Sequence, residues 1–134
     1  MQPIADTGLL KALLDRNDPY HHWAAEVFPQ HAPWTTCEAV LTEAAHLSGV
    51  PQKIMQLILR GDLQVQFVAE AEAERLLELL QKYQDRKMDF ADACLVRMAE
   101  IQRDAVVFTI DRSDFTVYRK HGNEPMPCVF PAGI

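Results

Sequence analysis

The sequence contains little cysteine and no long apolar run. Its three cysteines, Cys37, Cys94 and Cys128, are scattered, and none lies in a CxxC motif or Cys/His cluster that would bind zinc. No apolar stretch approaches the roughly 20 residues that cross a bilayer, and no basic leader precedes a short apolar run. A glycine-rich phosphate loop and a nucleophile elbow are also missing. These absences predict a cytoplasmic protein with buried, reduced thiols and no membrane partner.

Positive charge is scarce as well. The chain carries 13 Lys and Arg residues against 19 Asp and Glu residues, which gives a formal net charge of −6. The overall charge therefore does not favour nucleic-acid binding, and a polyanionic partner would need a basic patch or a bound cation. The chain has 134 residues, 49% of them hydrophobic, which predicts one globular domain spanning residues 1–134.

Strand and helix signals alternate along the chain. The strand candidates are residues 3–5, "APWTT", "LQVQFV", "AVVFTI" and, as an edge strand flanked by prolines, "MPCVF". Helical periodicity marks "DTGLLKALLD", "PYHHWAAEVF", "CEAVLTEAAHL", "QKIMQLILR", "AEAERLLELLQKY" and "MDFADACLVRMAE". Asp18 and Pro19 predict the N-cap and first residue of the second helix, and a short helical piece is expected to reach Lys120. The alternation predicts a three-layer α/β fold, with a mostly parallel central sheet flanked by helices.

Four acidic residues are placed where one pocket could collect them. Asp6 and Asp111 directly follow two of the strands, at the edge where parallel sheets bind ligands. Asp92 and Glu43 lie in helices, and their neighbours at three and four positions are mainly apolar. Glu38 competes with Glu43, but five helical residues separate their directions by about 140°, so one pocket cannot easily use both. Because clustered buried carboxylates repel each other, a shared divalent cation is the economical arrangement.

Local capping explains some of the same acids without any function. Asp89 as an N-cap with Asp92 at the third helical position would form a variant of the capping box. Asp6 could cap the helix that follows it, and Asp111 with Asp114 could form an Asx-type turn. Each of these local explanations is sound by itself. The conjunction of two strand ends with two apolar-flanked helices is what favours a shared site.

Four motifs are informative through their order and spacing. They are "ADTGLLKALLDRNDPYHH", "TTCEAVLTEAAHL", "MDFADACLVRMAE" and "VVFTIDRSDFTVYR". Together they closely resemble the PIN-domain family, in particular the small bacterial VapC-like ribonucleases of toxin-antitoxin systems. The resemblance spans nearly the whole chain and implies a PIN-like fold with metal-binding acids at Asp6, Glu43, Asp92 and Asp111. It also implies further acids of less certain role at Asp89 and Asp114, and ligand-orienting hydroxyls at Thr7 and Thr109.

The resemblance implies a reaction as well. Carboxylate ligands without a nearby cysteine suit hard ions, so Mg²⁺ or Mn²⁺ is the expected cofactor. The reaction would be hydrolysis of an RNA phosphodiester, with Glu43 either as a ligand or as the carboxylate that positions the attacking water. Basic residues bracket the acidic motifs and are candidates for RNA binding: Lys82, Arg86, Lys87, Arg112, Arg119 and Lys120. The family further implies a cognate antitoxin and a homodimer.

Two other classes of protein share some of these features. A PIN domain that serves in RNA processing, or binds RNA without cleaving it, is the stronger alternative. A non-catalytic member should lack one of the metal-site acids, yet all four are present. A receiver-like signalling domain also has acids at strand ends, but it needs a lysine at the end of a late strand, where "VVFTIDRSD" has none.

Overall fold

The computed structural model describes residues 1–134 and contains a central sheet of five parallel strands. The strands are β1 (Gln2–Ala5), β2 (Trp34–Thr35), β3 (Leu63–Gln64), β4 (Ala105–Phe108) and, after two strands outside the sheet, β7 (Cys128–Val129). Their order across the sheet is β3-β2-β1-β4-β7. The other two strands, β5 (Arg119–Lys120) and β6 (Glu124–Pro125), pair antiparallel with each other.

Seven α-helices flank the sheet. They are α1 (Thr7–Leu14), α2 (His21–His31), α3 (Glu38–Ser48), α4 (Pro51–Leu59), α5 (Ala73–Lys82), α6 (Phe90–Ile101) and α7 (Arg112–Phe115). Two short 3-10 helices, Ala69–Glu72 and Gln84–Arg86, stand at either end of α5. No helix has the length and apolar character that crossing a bilayer requires. The architecture confirms the predicted α/β fold with a parallel sheet flanked by helices.

Strand β1 lies at the centre of the sheet, and β4 is one of its two neighbours. Apart from Gln2, both strands are short apolar runs, as expected for strands covered on both faces. Their register places Ala5 opposite Phe108, and the backbone N–H of Asp6 donates to the carbonyl of Phe108 at 3.2 Å. The chain therefore leaves both strands at the same edge, with Asp6 beside Thr109. This edge is where the sequence predicts a ligand site.

Helix α6 lies deep in the core and carries one charged residue with it. Its buried residues are Ala91, Asp92, Ala93, Cys94, Leu95, Val96, Met98 and Ala99. Small side chains dominate this set, and they allow the helix to pack closely against its neighbours. Burying a carboxylate costs free energy unless it is compensated, so the position of Asp92 requires an explanation beyond packing.

Two predicted boundaries are wrong, and hydrogen bonds explain the first. The second helix does not begin at Pro19, because the Asp18 carboxylate accepts from the Tyr20 N–H and from Lys11 instead of capping a helix. Residues 18–20 form a turn, and α2 starts at His21. The strand predicted over "LQVQFV" is limited to Leu63–Gln64, because β2, its partner, supplies only two residues for pairing.

The segment after β4 is less helical than the sequence predicts. Helix α7 ends at Phe115, and β5 and β6 form a hairpin that the sequence pattern does not predict. The turn between them has left-handed backbone at His121 and Gly122, with φ angles of 52° and 92°. The residues in this conformation are His121 and Gly122 instead of the Asn-Gly pair that commonly marks a hairpin turn. The turn is therefore difficult to recognise in the sequence. The predicted edge strand in "MPCVF" is confirmed as β7, which pairs only with β4.

Candidate active site

The carboxylate of Asp6 is held at the end of β1 by two hydrogen bonds. It caps α1 by accepting from the Thr7 N–H at 2.7 Å, as the capping interpretation predicts. Its second oxygen accepts from the Thr109 hydroxyl at 2.5 Å. Both Asp6 and Thr109 are buried. The side chain therefore has a fixed orientation that the cap alone would not provide.

Asp92 is positioned from two sides. Asp89 caps α6 by accepting from the Asp92 N–H at 2.8 Å, which is the predicted capping geometry. The Asp92 carboxylate in turn accepts from the buried Tyr118 hydroxyl at 2.8 Å. Only one Asp92 oxygen is used in this way, and the other has no hydrogen-bond donor in the protein. Asp89 therefore caps α6, and Asp92 keeps one carboxylate oxygen available to a ligand.

Asp111 and Asp114 approach Asp92 from the segment after β4. Asp111 caps α7 by accepting from the Asp114 N–H at 3.0 Å, which agrees with the expected local turn. One carboxylate oxygen from each of Asp92, Asp111 and Asp114 lies within 4.8 Å of the others. Arg86 pairs with Asp114 at 2.9 Å and offsets part of the negative charge there. Three acids from two separate motifs therefore share one small volume.

Glu43, on α3, is the fourth predicted acid, and it lines the same cleft. Its carboxylate accepts from the Thr7 hydroxyl at 2.6 Å, so the residue after Asp6 orients the acid on α3. The cleft has a volume of about 380 Å³, and it is lined by Asp6, Thr7, Gly8, Lys11, Asp18, Glu43, Leu47, Asp89, Asp92, Ile110 and Asp111. Glu38 is absent from this set and lines a different pocket. Glu43 and Glu38 thus lie on different sides of α3, as five residues of helical spacing predict.

The electrostatics of this acidic cleft are unfavourable without a cation. Burial, together with the charges of Asp6 and Asp89, raises the pKa of Asp92 to about 8, although the Tyr118 hydrogen bond opposes the shift. Burial also raises the pKa of Asp6 to about 6, although hydrogen bonds from Thr109 and Thr7 oppose the shift. The pKa of Asp111 is raised as well, again mainly by burial. At neutral pH the acids cannot all ionise at low cost, and a divalent cation would remove that cost.

The donor chemistry of the acidic cleft fits a hard cation. Its lining contains carboxylates and a hydroxyl but neither cysteine nor histidine. Asp92 and Glu43 both line the cleft, and each has one carboxylate oxygen that accepts no hydrogen bond from the protein. Oxygen donors of this kind are those that Mg²⁺ and Mn²⁺ prefer.

The six basic residues that bracket the acidic motifs lie outside the lining of the acidic cleft. Arg86 comes nearest through its pair with Asp114. Three others contact the protein itself: Lys82 donates to the Gly122 carbonyl, Arg112 stacks over Phe130, and Arg119 donates to backbone carbonyls. Lys87 is exposed and Lys120 is half-buried.

Two residues of the site were not foreseen. Lys11 lines the acidic cleft, where its ammonium contacts Asp18 at 2.8 Å and Asp15 at 3.1 Å. It lies one helical turn after Thr7, so helical spacing was an available signal. Tyr118 offered no such signal, because it follows α7 in a segment whose path depends on the whole fold. The hydroxyls of Thr7 and Thr109, by contrast, make the orienting contacts that the resemblance implies.

Two known proteins are similar to this chain in sequence or in structure. No family model matches the chain. The chain is 28% identical over 127 residues to Ribonuclease VapC26 of Mycobacterium tuberculosis (strain ATCC 25618 / H37Rv), and the match covers 89% of this chain and 93% of that protein. The crystal structure of Mycobacterium tuberculosis VapC20, described as a sarcin-ricin loop cleaving toxin, matches with a TM-score of 0.64 and 21% identity. That match covers 79% of this chain and 87% of VapC20, and it confirms the VapC-like PIN fold.

Proposed function

We propose that this chain is a metal-dependent ribonuclease that hydrolyses RNA phosphodiester bonds and serves as the toxin of a type II toxin-antitoxin system. The observation that carries the proposal is the meeting of Asp6, Glu43, Asp92 and Asp111 in one cleft, from four separate parts of the chain. The similarity to a ribonuclease over most of both chains gives this cleft its reaction class. We take residues 1–134 as a single nuclease domain.

Mg²⁺ or Mn²⁺ is the proposed cofactor. Asp92, Asp111 and Asp6 would hold it, with Glu43 as a further ligand and Asp89 and Asp114 at the margin. Such an ion activates water and neutralises charge on a phosphate when it is bound. The raised pKa values of Asp6 and Asp92 support this assignment, because a cation would stabilise the ionised carboxylates.

Glu43 has the geometry of a group that positions the attacking water. The Thr7 hydroxyl fixes one of its oxygens at 2.6 Å, and the other oxygen is free to accept a hydrogen bond. Thr7 belongs to α1, whose cap is Asp6, so both acids are hydrogen-bonded to the same residue at the start of this helix. This coupling keeps the water-positioning carboxylate aligned with the carboxylates that would hold the cation.

Binding of RNA to an acidic protein requires local positive charge. Lys11 is the cation in the lining of the acidic cleft, and we propose that it contacts a phosphate next to the cleaved bond. The proposed outer contacts are Lys82, Arg86, Lys87, Arg112, Arg119 and Lys120. Their existing contacts with backbone carbonyls and Phe130 place several of them at fixed positions on the surface.

The proposed toxin role involves protein partners. Exposed apolar side chains on α3 and α4, namely Leu47, Met55 and Leu59, are suited to contact an antitoxin or a second copy of the chain. We propose a homodimer and a cognate antitoxin, with RNA cleavage in the cytoplasm. Size-exclusion chromatography with light scattering, alone and after co-expression with the protein of the adjacent gene, tests both assemblies.

Cleavage of short single-stranded RNA tests the enzymatic proposal. We expect cleavage with Mg²⁺ or Mn²⁺, no cleavage in EDTA, and products that carry a 5′-phosphate and a 3′-hydroxyl. Asp6→Asn and Asp92→Asn should abolish cleavage, while Asp85→Asn, an exposed acid outside the cleft, should not. Equal cleavage by all variants would exclude the acidic cleft as the active site. RNA binding without cleavage would favour the non-catalytic alternative. If expression of the active enzyme in a bacterial host does not arrest growth, a role in RNA processing would be favoured over the toxin role.

A further inference from the structure

Tyr118 is linked to the acidic cleft through Asp92. Its hydroxyl donates to Oδ2 of Asp92 at 2.8 Å, while Oδ1 accepts no hydrogen bond from the protein. Tyr118 is 1% exposed and does not belong to the lining of the cleft, so any effect that it has on a ligand passes through Asp92. The two carboxylate oxygens of Asp92 are therefore unequal, and a buried tyrosine makes them so.

Several contacts fix the position of the Tyr118 hydroxyl. The ring packs edge-on against Tyr83 and Phe115, with ring centroids 5.1 and 5.2 Å away. The Tyr118 N–H donates to the Asp114 carbonyl at 3.0 Å. The N–H of the next residue, Arg119, donates to the Tyr83 hydroxyl at 2.8 Å. The hydroxyl is thus held in place by contacts of its ring, of its own backbone and of the following residue.

A fixed donor on one oxygen changes the way in which a carboxylate binds cations. Ca²⁺ takes more oxygen ligands than Mg²⁺ and often uses both oxygens of one carboxylate, whereas Mg²⁺ demands near-octahedral geometry and takes few protein carboxylates. The tyrosine proton offsets part of the negative charge on Oδ2 of Asp92. Oδ1 is therefore the stronger ligand, and the use of both oxygens by one cation is disfavoured.

We propose that Tyr118 is a positioning residue that sets the cation preference of the acidic cleft, because it leaves Oδ1 of Asp92 as the ligand oxygen and so favours Mg²⁺ over Ca²⁺. The proposal rests on the ribonuclease function above, which places a divalent cation in this cleft. Tyr118→Phe removes the hydroxyl and keeps the ring that packs against Tyr83 and Phe115. This variant therefore isolates the contribution of the hydrogen bond.

Calorimetric titration of the full chain with Mg²⁺ alone and with Ca²⁺ alone tests the proposal. We expect the wild type to bind Mg²⁺ at least as tightly as Ca²⁺. In Tyr118→Phe, the ratio of the two dissociation constants should shift towards Ca²⁺ by about tenfold, because Oδ2 of Asp92 is freed. A ratio that does not change, even with an equal loss of affinity for both cations, would indicate a merely structural role and overturn the proposal.

Tyr83→Phe is the matched control. It removes a hydroxyl from the same aromatic cluster, but this hydroxyl accepts from the Arg119 N–H and does not contact Asp92. The ratio of the two dissociation constants should therefore stay at the wild-type value. A shift as large as that of Tyr118→Phe would trace the effect to general loosening of the cluster and overturn the proposal.

RNA cleavage separates the failure of this proposal from the failure of the proposed function. Ca²⁺ should inhibit Mg²⁺-dependent cleavage by Tyr118→Phe at concentrations about tenfold lower than those that inhibit the wild type. If the wild type cleaves RNA with Mg²⁺ and the variant shows the same inhibition by Ca²⁺, only the role of Tyr118 is overturned. If the wild type neither binds these cations nor cleaves RNA, both proposals are overturned.

Two measurements do not need Tyr118→Phe to fold. The chain has three tyrosines, so Tyr20→Phe combined with Tyr83→Phe leaves Tyr118 as the only one. Mg²⁺ should change the ultraviolet absorbance of that tyrosine, because a cation on Asp92 weakens the hydrogen bond that the hydroxyl donates, and Asp92→Asn should remove the change. Absence of a tyrosine signal when Mg²⁺ binds, or tighter binding of Ca²⁺ than of Mg²⁺ by the wild type, would overturn the proposal.

Discussion

Asp92 has two properties that conflict in the protein without a cation. Its position in the core lets α6 present one oxygen to the acidic cleft, while burial raises its pKa to about 8. The folded state therefore binds a proton that the unfolded chain releases near the ordinary value of 3.8. The stability contribution of Asp92 is retained below the ordinary pKa and is lost as the pH rises towards 8.

Asp92→Asn should raise the melting temperature of the cation-free protein at pH 8 and abolish RNA cleavage. The amide keeps an oxygen that can accept from Tyr118, and it removes the buried charge, a gain on the order of 3 kcal/mol. Thermal unfolding in EDTA at pH 5 and pH 8 measures the effect, which should be small at pH 5. Asp85→Asn is the matched control, and equal melting temperatures at pH 8 for Asp92→Asn and wild type would contradict the argument.

Thr109 supports two acids through one hydroxyl. It donates to Asp6 at 2.5 Å and accepts from the Asp111 N–H at 3.0 Å. Thr109→Val should therefore cost about 1–3 kcal/mol of stability and raise the cation concentration needed for cleavage by roughly 10–100-fold. Cation titrations of the cleavage rate measure the shift. Thr109→Ser should restore most of the function, because it keeps the hydroxyl; equal impairment by Val and Ser would point to packing instead.

The acids that line the acidic cleft could be predicted from the sequence, but the groups that hold them could only partly be predicted. Asp6 and Asp111 end apolar strands, and Asp92 interrupts an apolar helix, so local pattern identifies them. The contact between Tyr118 and Asp92 depends on the path of the segment after α7, which no local pattern fixes. Lys11 was overlooked because a lysine on a helix is usually a solvated residue.

The close packing of helix α1 against the segment after β4 depends on a glycine. A Cβ atom added at Gly8 would lie 2.5 Å from Cγ1 and 2.9 Å from Cδ1 of Ile110. Gly8 also follows Thr7, whose hydroxyl orients Glu43. The missing side chain therefore lets the helix with these groups pack against the segment that leads to Asp111.

A double-mutant cycle tests this close approach. Alanine is favoured over glycine in a helix by about 1 kcal/mol, so Gly8→Ala should stabilise the protein if Ile110 did not obstruct it. We expect Gly8→Ala to destabilise the wild-type protein and to stabilise the Ile110→Ala variant, with a coupling of about 1 kcal/mol or more. Urea unfolding measures all four proteins. Additive effects of the two substitutions would show that the contact does not constrain α1.

The predictable elements are those with enough residues to show a period. Helix α6 and the core strand β4 were predicted nearly at their observed bounds, because their apolar runs are long and clearly bounded. Strands β2 and β3 have two residues each and exist through their pairing, so sequence can only suggest where they lie. The β5–β6 hairpin has polar strands and an unusual turn, and neither feature gives a periodic signal.

In the whole molecule, acids of two kinds change the stability of the folded state in opposite directions as the pH rises. In the acidic cleft, burial raises the pKa of Asp6 to about 6 and that of Asp92 to about 8. Glu100 behaves differently: burial opposes its ionisation, but hydrogen bonds from Arg75, the His121 N–H and Arg97 lower its pKa to about 2. The Glu100 contribution is present above its ordinary pKa of 4.5 and is lost as the pH falls towards 2.

The cation-free protein should therefore be most stable near pH 4–5 and should lose stability as the pH rises to 8. Millimolar Mg²⁺ or Mn²⁺ should reverse the loss at pH 8, because binding to the ionised acids stabilises the folded state by about 2.7 kcal/mol at 100 times the dissociation constant. Melting temperatures from pH 4 to pH 8, with EDTA or with divalent cation, measure both effects. NaCl at matched ionic strength is the control for screening, and Asp92→Asn with Asp111→Asn should remove the cation response. If the melting temperature in EDTA rose steadily from pH 5 to pH 8, or if NaCl restored stability as well as Mg²⁺, the acidic cleft would not be the source of the pH dependence.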